Sequence, residues 1–267
     1  VWSRTFIITC TVALTACAAR APVRPTGTAV PDSTAIDAFA QATRQCAGLK
    51  TLTAEIRLSG RAGSERIRGT LLAGFTTPAA LRFEAVAPFG PPVFILAGRD
   101  NRATLLLPRD NRVLRDADVA QLLERLTGLS LAADDVRLIL TGCLVDGGGL
   151  ADGRVWPNGW RGVTVGAGIT AYLNERNGVT TVVAADHGDW RVDYADHQNG
   201  IARTVRIRSA GSVRDSEPSA IDISAVLGQL EINTAIAAKA FEVEVPPGAI
   251  PITLDDLRAV APLRGSN

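Results

Sequence analysis

The chain has no surplus of either charge. Across 267 residues, 28 Lys+Arg stand against 27 Asp+Glu, a formal net charge of +1. Binding a nucleic acid duplex calls for a clustered basic face, so this balance argues against such a partner. Aromatic residues are scarce, at 5%. Methionine is absent, and Lys50 and Lys239 are the only lysines, so the basic charge is almost all arginine. No stretch approaches the 18 or so continuous apolar residues that read as a membrane-spanning helix. The four cysteines lack the close paired spacing of a metal site. The two histidines, His187 and His197, lie near Asp186, Asp189 and Asp196. On either side of a turn they read as solvated polar groups rather than metal ligands. Gly166-Ala167-Gly168-Ile169-Thr170-Ala171 has a G-x-G-x-x-A pattern, but it opens into a strand-like run, not the helix whose N-terminus would hold a phosphate. No G-x-S-x-G or P-loop pattern occurs. These readings give a chain expected not to be an enzyme, with no cofactor and no metal.

Punctuation is plentiful, with 25 Gly and 14 Pro, which argues against a helical bundle. The length suits one large domain or two ordinary ones, with ample chain for a core. At the N-terminus, Arg4 precedes the short apolar run 5–14, and Leu14-Thr15-Ala16-Cys17 comes next. A basic start, an apolar stretch and small residues at the cut make a secretory signal over residues 1–16. The order Leu-Thr-Ala-Cys resembles the bacterial lipobox, in which the cysteine thiol takes a diacylglycerol and becomes the first mature residue. The resemblance implies lipidation at Cys17, and several acyl chains on one residue make a durable anchor. With Ala18 rather than Asp after the cysteine, it also implies the periplasmic face of a bacterial outer membrane. Residues 17–33, small, polar and proline-rich, read as a lipidated flexible tether. Cys46 and Cys143 remain in an oxidising compartment, where they either pair or stay as two buried thiols.

Beyond the tether, Asp32-Ser33 can cap a helix over 34–47, with Ile36, Phe39, Ala40 and Thr43 on one face. The period then changes to two. Leu52–Leu58, Ile67–Leu71 and Leu81–Ala85 alternate apolar and polar residues, as half-buried strands do. Val93–Ala97 and Ala103–Leu107 read as strands with two apolar faces. Two amphipathic helices interrupt the series, at 116–126 and 132–140, stopped by Gly128 and Gly142. Strands resume around 160–165, 170–175, 179–184, 189–194, 201–209, 220–232 and 241–245, with hairpin signals at Asn177-Gly178 and Asn199-Gly200. The expected fold is mainly β (α+β): about 10–12 antiparallel strands in a curved half-barrel over 34–267, with an N-terminal helix and a helical lid over about 116–142.

In chain order, these features resemble the LolB family of outer-membrane lipoprotein receptors, within the wider LolA/LolB-like carrier fold. The lipobox and tether lead to a strand with Gly60-Arg61. Ala87-Pro88-Phe89-Gly90 resembles the family's Pro-Leu-Gly loop, and Leu126-Thr127-Gly128-Leu129-Ser130-Leu131 its Leu-Thr-Gly linker. Gly188-Asp189-Trp190-Arg191-Val192-Asp193-Tyr194 resembles its late Trp-containing strand. Phe241–Gly248 resembles the strand that closes LolA, and a helix at 253–260 extends past the usual LolB end.

The resemblance implies a hollow under the lid that takes the acyl chains of lipoproteins, handed over by a periplasmic lipoprotein carrier. Ile56, Leu58, Leu81, Phe83, Ile95 and Leu105 are its candidate lining. Leu122, Leu123, Leu126, Val136, Ile139 and Leu140 are the candidate lid contacts. The same residues can equally fill a solid core. Pro88, Phe89 and Gly90 form a candidate membrane-insertion loop, with Phe89 either presented to the bilayer or folded back on the core. The chain is expected to be a monomer that engages the membrane through its anchor. Two other classes stay open: a non-catalytic accessory protein of an envelope complex, and a carrier of another amphiphile such as a glycolipid.

Overall fold

The computed structural model describes residues 24–144, 149–166, 168–188, 190–210 and 220–260. The expected signal segment and Cys17 lie outside the described residues. Fifteen strands form a single open sheet: β1 (Val30–Pro31), β2 (Thr51–Ala62), β3 (Glu65–Thr76), β4 (Ala80–Val86), β5 (Ile95–Arg99), β6 (Arg102–Leu107), β7 (Arg112–Asp118), β8 (Leu150–Val155), β9 (Arg161–Val165), β10 (Ile169–Arg176), β11 (Val179–Asp186), β12 (Trp190–Ala195), β13 (Thr204–Ser209), β14 (Ile221–Ile232) and β15 (Ile250–Pro251). The helices are α1 (Thr34–Ala42), α2 (Val119–Thr127), α3 (Ala133–Thr141) and α4 (Leu254–Val260). The order across the sheet is β1-β8-β9-β10-β11-β12-β13-β14-β2-β3-β4-β5-β6-β7-β15. Neighbours are antiparallel except β15, which runs parallel to β7. The mainly β half-barrel is therefore present, with an N-terminal helix and two helices over its inner face.

Alternation decides what faces inward. On β2, Leu52, Ala54 and Ile56 are buried while Thr53, Glu55 and Arg57 are not. On β14, Ile221, Ile223, Ala225 and Leu227 are buried. Pleating sends successive side chains to opposite faces, so each strand gives one row to a continuous core. At Gly60 the backbone takes φ +145°, and a Cβ there would collide with the Asp222 carbonyl. Glycine allows β2 and β14 to pass that closely.

Several boundaries differ from the sequence reading. The first helix stops at Ala42 and continues as a 3₁₀ turn over Arg44–Gly48; Ala40 is exposed and Ala35 buried instead. The first lid helix begins at Val119, not at 116. Residues 112–118 complete β7, whose Val113 and Ala117 are buried, and Asp118 caps the helix by accepting the Gln121 N–H at 2.9 Å. With Ala117 buried in the strand, Asp118 is left to cap the helix.

The closing strand expected at 241–245 is not formed. A 3₁₀ turn at Ala238–Phe241 leads into a strap across the outer face of β4 and β5. Its carbonyls are taken by side chains rather than by a ladder: Arg82 donates to Ala240 and Glu242, and Arg99 to Ala238. Phe241 is buried beneath the Arg99 guanidinium, which lies 5.4 Å from the ring centroid. The strap ends in β15 and α4, and α4 packs on α2 with Leu257 buried and Arg125 near Asp255.

Residues 24–33 of the expected tether are docked on the body. Val30 and Pro31 pair with Val155 and Arg154. Arg24 bonds Asp186 and Asp193 on the outer face of β11 and β12, and its guanidinium lies over Tyr172. Burial works against the Arg24 charge, and the two carboxylates more than offset it, so its pKa is raised. Asp193 also bonds Arg208 and is itself buried. Replacing it removes one anion between two cations, a costly change partly relieved by water because both arginines keep some exposure. Asp193→Asn is expected to lower the unfolding free energy by about 2 kcal/mol in urea titration; an unchanged midpoint would show that the cluster contributes nothing net.

Candidate functional site

Between the inner face and the lid lies an apolar hollow of about 110 Å³. Its floor comes from β2, β3, β4, β13 and β14, through Ile56, Leu58, Ile67, Leu71, Phe83, Ile207, Ile223 and Ala225. Phe94 and Leu96 add one side. The roof is Leu123, Leu126 and Thr127 of α2, Leu129 and Leu131 of the linker, and Val136 and Leu140 of α3. The linker is fixed at both ends. Gly128 closes α2 in the left-handed region at φ +81°, and Asp135 accepts the Ala132 N–H at 3.1 Å at the start of α3.

The candidate lining residues divide. Ile56, Leu58 and Phe83 are on the hollow wall. Leu81 and Leu105 are fully buried in the core beside it. Ile95 stands opposite Glu84 and lines an outer-face depression with Arg82 and Lys239, because Phe94 and Leu96 take the inward positions. Of the candidate lid residues, Leu123, Leu126, Val136 and Leu140 face the hollow, while Leu122 and Ile139 are buried in the core cluster. The sequence reading missed Phe94 because Val93–Ala97 is apolar on both faces and carries no parity signal. It missed Ile207 and Ile223 although their alternation was visible.

The hollow is apolar and small. A cavity of about 150 Å³ lined by Leu, Ile and Phe takes a benzene molecule. The space here holds a few carbons with the lid seated, so a longer chain requires α2 and α3 to rise. Leu58, Leu126 and Ile207 are only partly buried, which marks the thin side of the wall.

Pro88, Phe89 and Gly90 form the β4–β5 loop. Phe89 is 88% exposed, while its neighbour along the loop, Phe94, is 2% exposed and lines the hollow. Arg109 steadies the loop by donating to the carbonyls of Phe89 and Pro91. Gly90 takes φ +77°. The aromatic is thus presented outward on a braced turn, not folded back.

Cys46 and Cys143 form a disulfide, joining the turn after α1 to the residue that succeeds α3 and its Gly142 cap. Other polar groups are engaged elsewhere. His197 Nε2 lies 2.9 Å from the Val182 carbonyl, and burial lowers its pKa against the opposing pull of that bond and of Asp196. His187 stacks on Trp190. Asp186 holds Arg24, and Asp196 accepts from Thr204; Asp189 lies outside the described residues. Burial pushes the Tyr172 hydroxyl up to about 12, with the Asp186 charge adding to it, and burial also raises that of Tyr194. Gly166 and Gly168 turn β9 into β10, a strand, and Ala167 lies outside the described residues.

No family model and no curated protein matches the sequence. Among solved structures, the chain is similar to a DUF1329 family protein from Desulfovibrio piger, at 13% identity and TM-score 0.47, over 79% of this chain and 97% of that one. It is similar to an outer-membrane lipoprotein-sorting protein domain from Vibrio parahaemolyticus, at 10% identity and TM-score 0.43, over 78% and 97%. It is also similar to the lipoprotein LppX of Mycobacterium tuberculosis, at 10% identity and TM-score 0.32, over 80% and 100%. Likeness this distant transfers no function, which has to be argued from the site.

Proposed function

We propose that this chain is a non-catalytic lipid carrier, anchored through Cys17 to the periplasmic face of the outer membrane. It receives the acyl chains of lipoproteins from a periplasmic carrier and passes them into the bilayer. The observation that supports this reading is the apolar hollow roofed by two short helices, next to a braced loop that holds Phe89 in solvent. Each buried methylene is worth about 0.8 kcal/mol, so a long chain gains on the order of 10 kcal/mol gross once α2 and α3 have risen to admit it. Bilayer entry offers a comparable gain, so transfer needs no chemical energy. Phe89 starts that entry by dipping its ring among the acyl tails, while Phe94, on the same loop, lies at the hollow wall.

The test is a two-step assay with unacylated Cys17→Ser protein, a fluorescent acylated peptide and phospholipid vesicles. The parent should take up the peptide and deliver it. Phe89→Glu should take it up equally and deliver it at least tenfold more slowly, since a carboxylate resists entering hydrocarbon. No uptake by the parent would overturn the carrier reading and favour an accessory protein of an envelope complex.

A further inference from the structure

Several arginines of the outer face are held by acidic or carbonyl partners. Arg206 and Arg208 are held by Asp222 and Asp193, and Arg82 by Glu84 and the strap carbonyls. The β2–β3 hairpin is different. Arg57 and Arg61 on β2, with Arg66 and Arg68 on β3, are exposed on the outward parity. Among the described residues none of the four has a carboxylate or carbonyl partner. Arg61 stands directly opposite Arg66. Like charges facing each other across a ladder destabilise it. Among the described residues, nearby anions do not relieve this. Asp222, beside Arg61 on β14, is held by two bonds from Arg206, and Glu65 falls on the inward parity, opposite Ala62. A pair that the described residues leave uncompensated fits an anion supplied from outside.

Topology says where that anion is. In an antiparallel order successive turns alternate between the two ends of the sheet. The β2–β3 and β4–β5 connections therefore share one end, as do β11–β12 and β13–β14. Phe89 is on the β4–β5 loop, and Arg24 is pinned to Asp186, the last residue of β11. Cys17 precedes Arg24 by seven residues. Seven residues reach at most about 25 Å, so an anchor at Cys17 keeps this end of the sheet beside the bilayer.

We propose that the outer face of the β2–β3 hairpin is a docking surface for anionic phospholipid headgroups, with Arg61 and Arg66 sharing a phosphate and Arg57 and Arg68 extending the contact. The orientation rests on reading Cys17 as the anchor; the binding does not. Unacylated Cys17→Ser protein is sedimented with vesicles of phosphatidylcholine alone and of phosphatidylcholine mixed with phosphatidylglycerol. The parent should bind only the anionic vesicles, and less as salt rises. The variant R57Q/R61Q/R66Q/R68Q should lose at least tenfold in that binding, with a melting temperature equal to the parent's or higher because the facing charges are gone. Equal binding by parent and variant, equal binding to neutral vesicles, or no binding at all overturns the proposal. Binding of polyglutamate without binding of anionic vesicles overturns it too, assigning the ridge to an acidic protein. Peptide uptake measured on the same variant should be unchanged. Vesicle binding without peptide uptake would sink the carrier reading and leave this surface standing; the converse would sink only this surface.

Discussion

Replacing Cys46 and Cys143 by serine together is expected to lower the unfolding free energy by about 3–5 kcal/mol, read as the shift in denaturant midpoint at constant slope. The bond joins residues 97 apart in sequence. Closing a loop of roughly 100 residues restricts the unfolded chain by about 4.7 kcal/mol on the chain-entropy account. Everything from β2 to α3 lies inside that loop. In the folded state Cys143 is buried and Cys46 half-buried, so two serines also leave hydroxyls in a poorly hydrated place. Parent protein under reductant should approach the double variant. An unchanged midpoint would mean that the lid base is held by packing alone.

The second large effect concerns the hollow. Ala225 on β14 is buried and on its floor, paired with Leu58. Ala225→Leu puts three more carbons into a space of about 110 Å³. Filling a void costs little where room exists, so the melting temperature should hold or rise slightly. A bound chain then loses several methylenes of burial at about 0.8 kcal/mol each, and affinity for a fluorescent fatty acid should fall tenfold or more. Unchanged affinity with an unchanged fold would place the ligand somewhere other than under the lid.

The sequence exposed most of the architecture, for a physical reason. Half-buried strands such as Leu52–Leu58 write their parity into polarity, and Gly128 and Gly142 mark where α2 and α3 stop. The hollow was legible only in part. Ile56, Leu58 and Phe83 alternate cleanly, but Val93–Leu96 is apolar throughout, and nothing local says that Phe94 rather than Ile95 turns inward. The strap was hidden for another reason. Phe241–Val245 alternates like a strand, yet the strap is held by residues far away in sequence, Arg82 on the carbonyls of Ala240 and Glu242 and Arg99 on that of Ala238. The docking of Arg24 was equally invisible, because a proline-rich segment reads as unattached until its partners Asp186 and Asp193 are seen together.

Both borders of the sheet end in two-residue strands that contain a proline, Pro31 in β1 and Pro251 in β15. Proline has no N–H to offer, and so short a margin leaves few free groups for an incoming strand to grip. Copies crowded side by side on a surface are thereby denied the simplest route to fusing into one continuous ribbon. An open sheet can persist at high local density without polymerising through its margins.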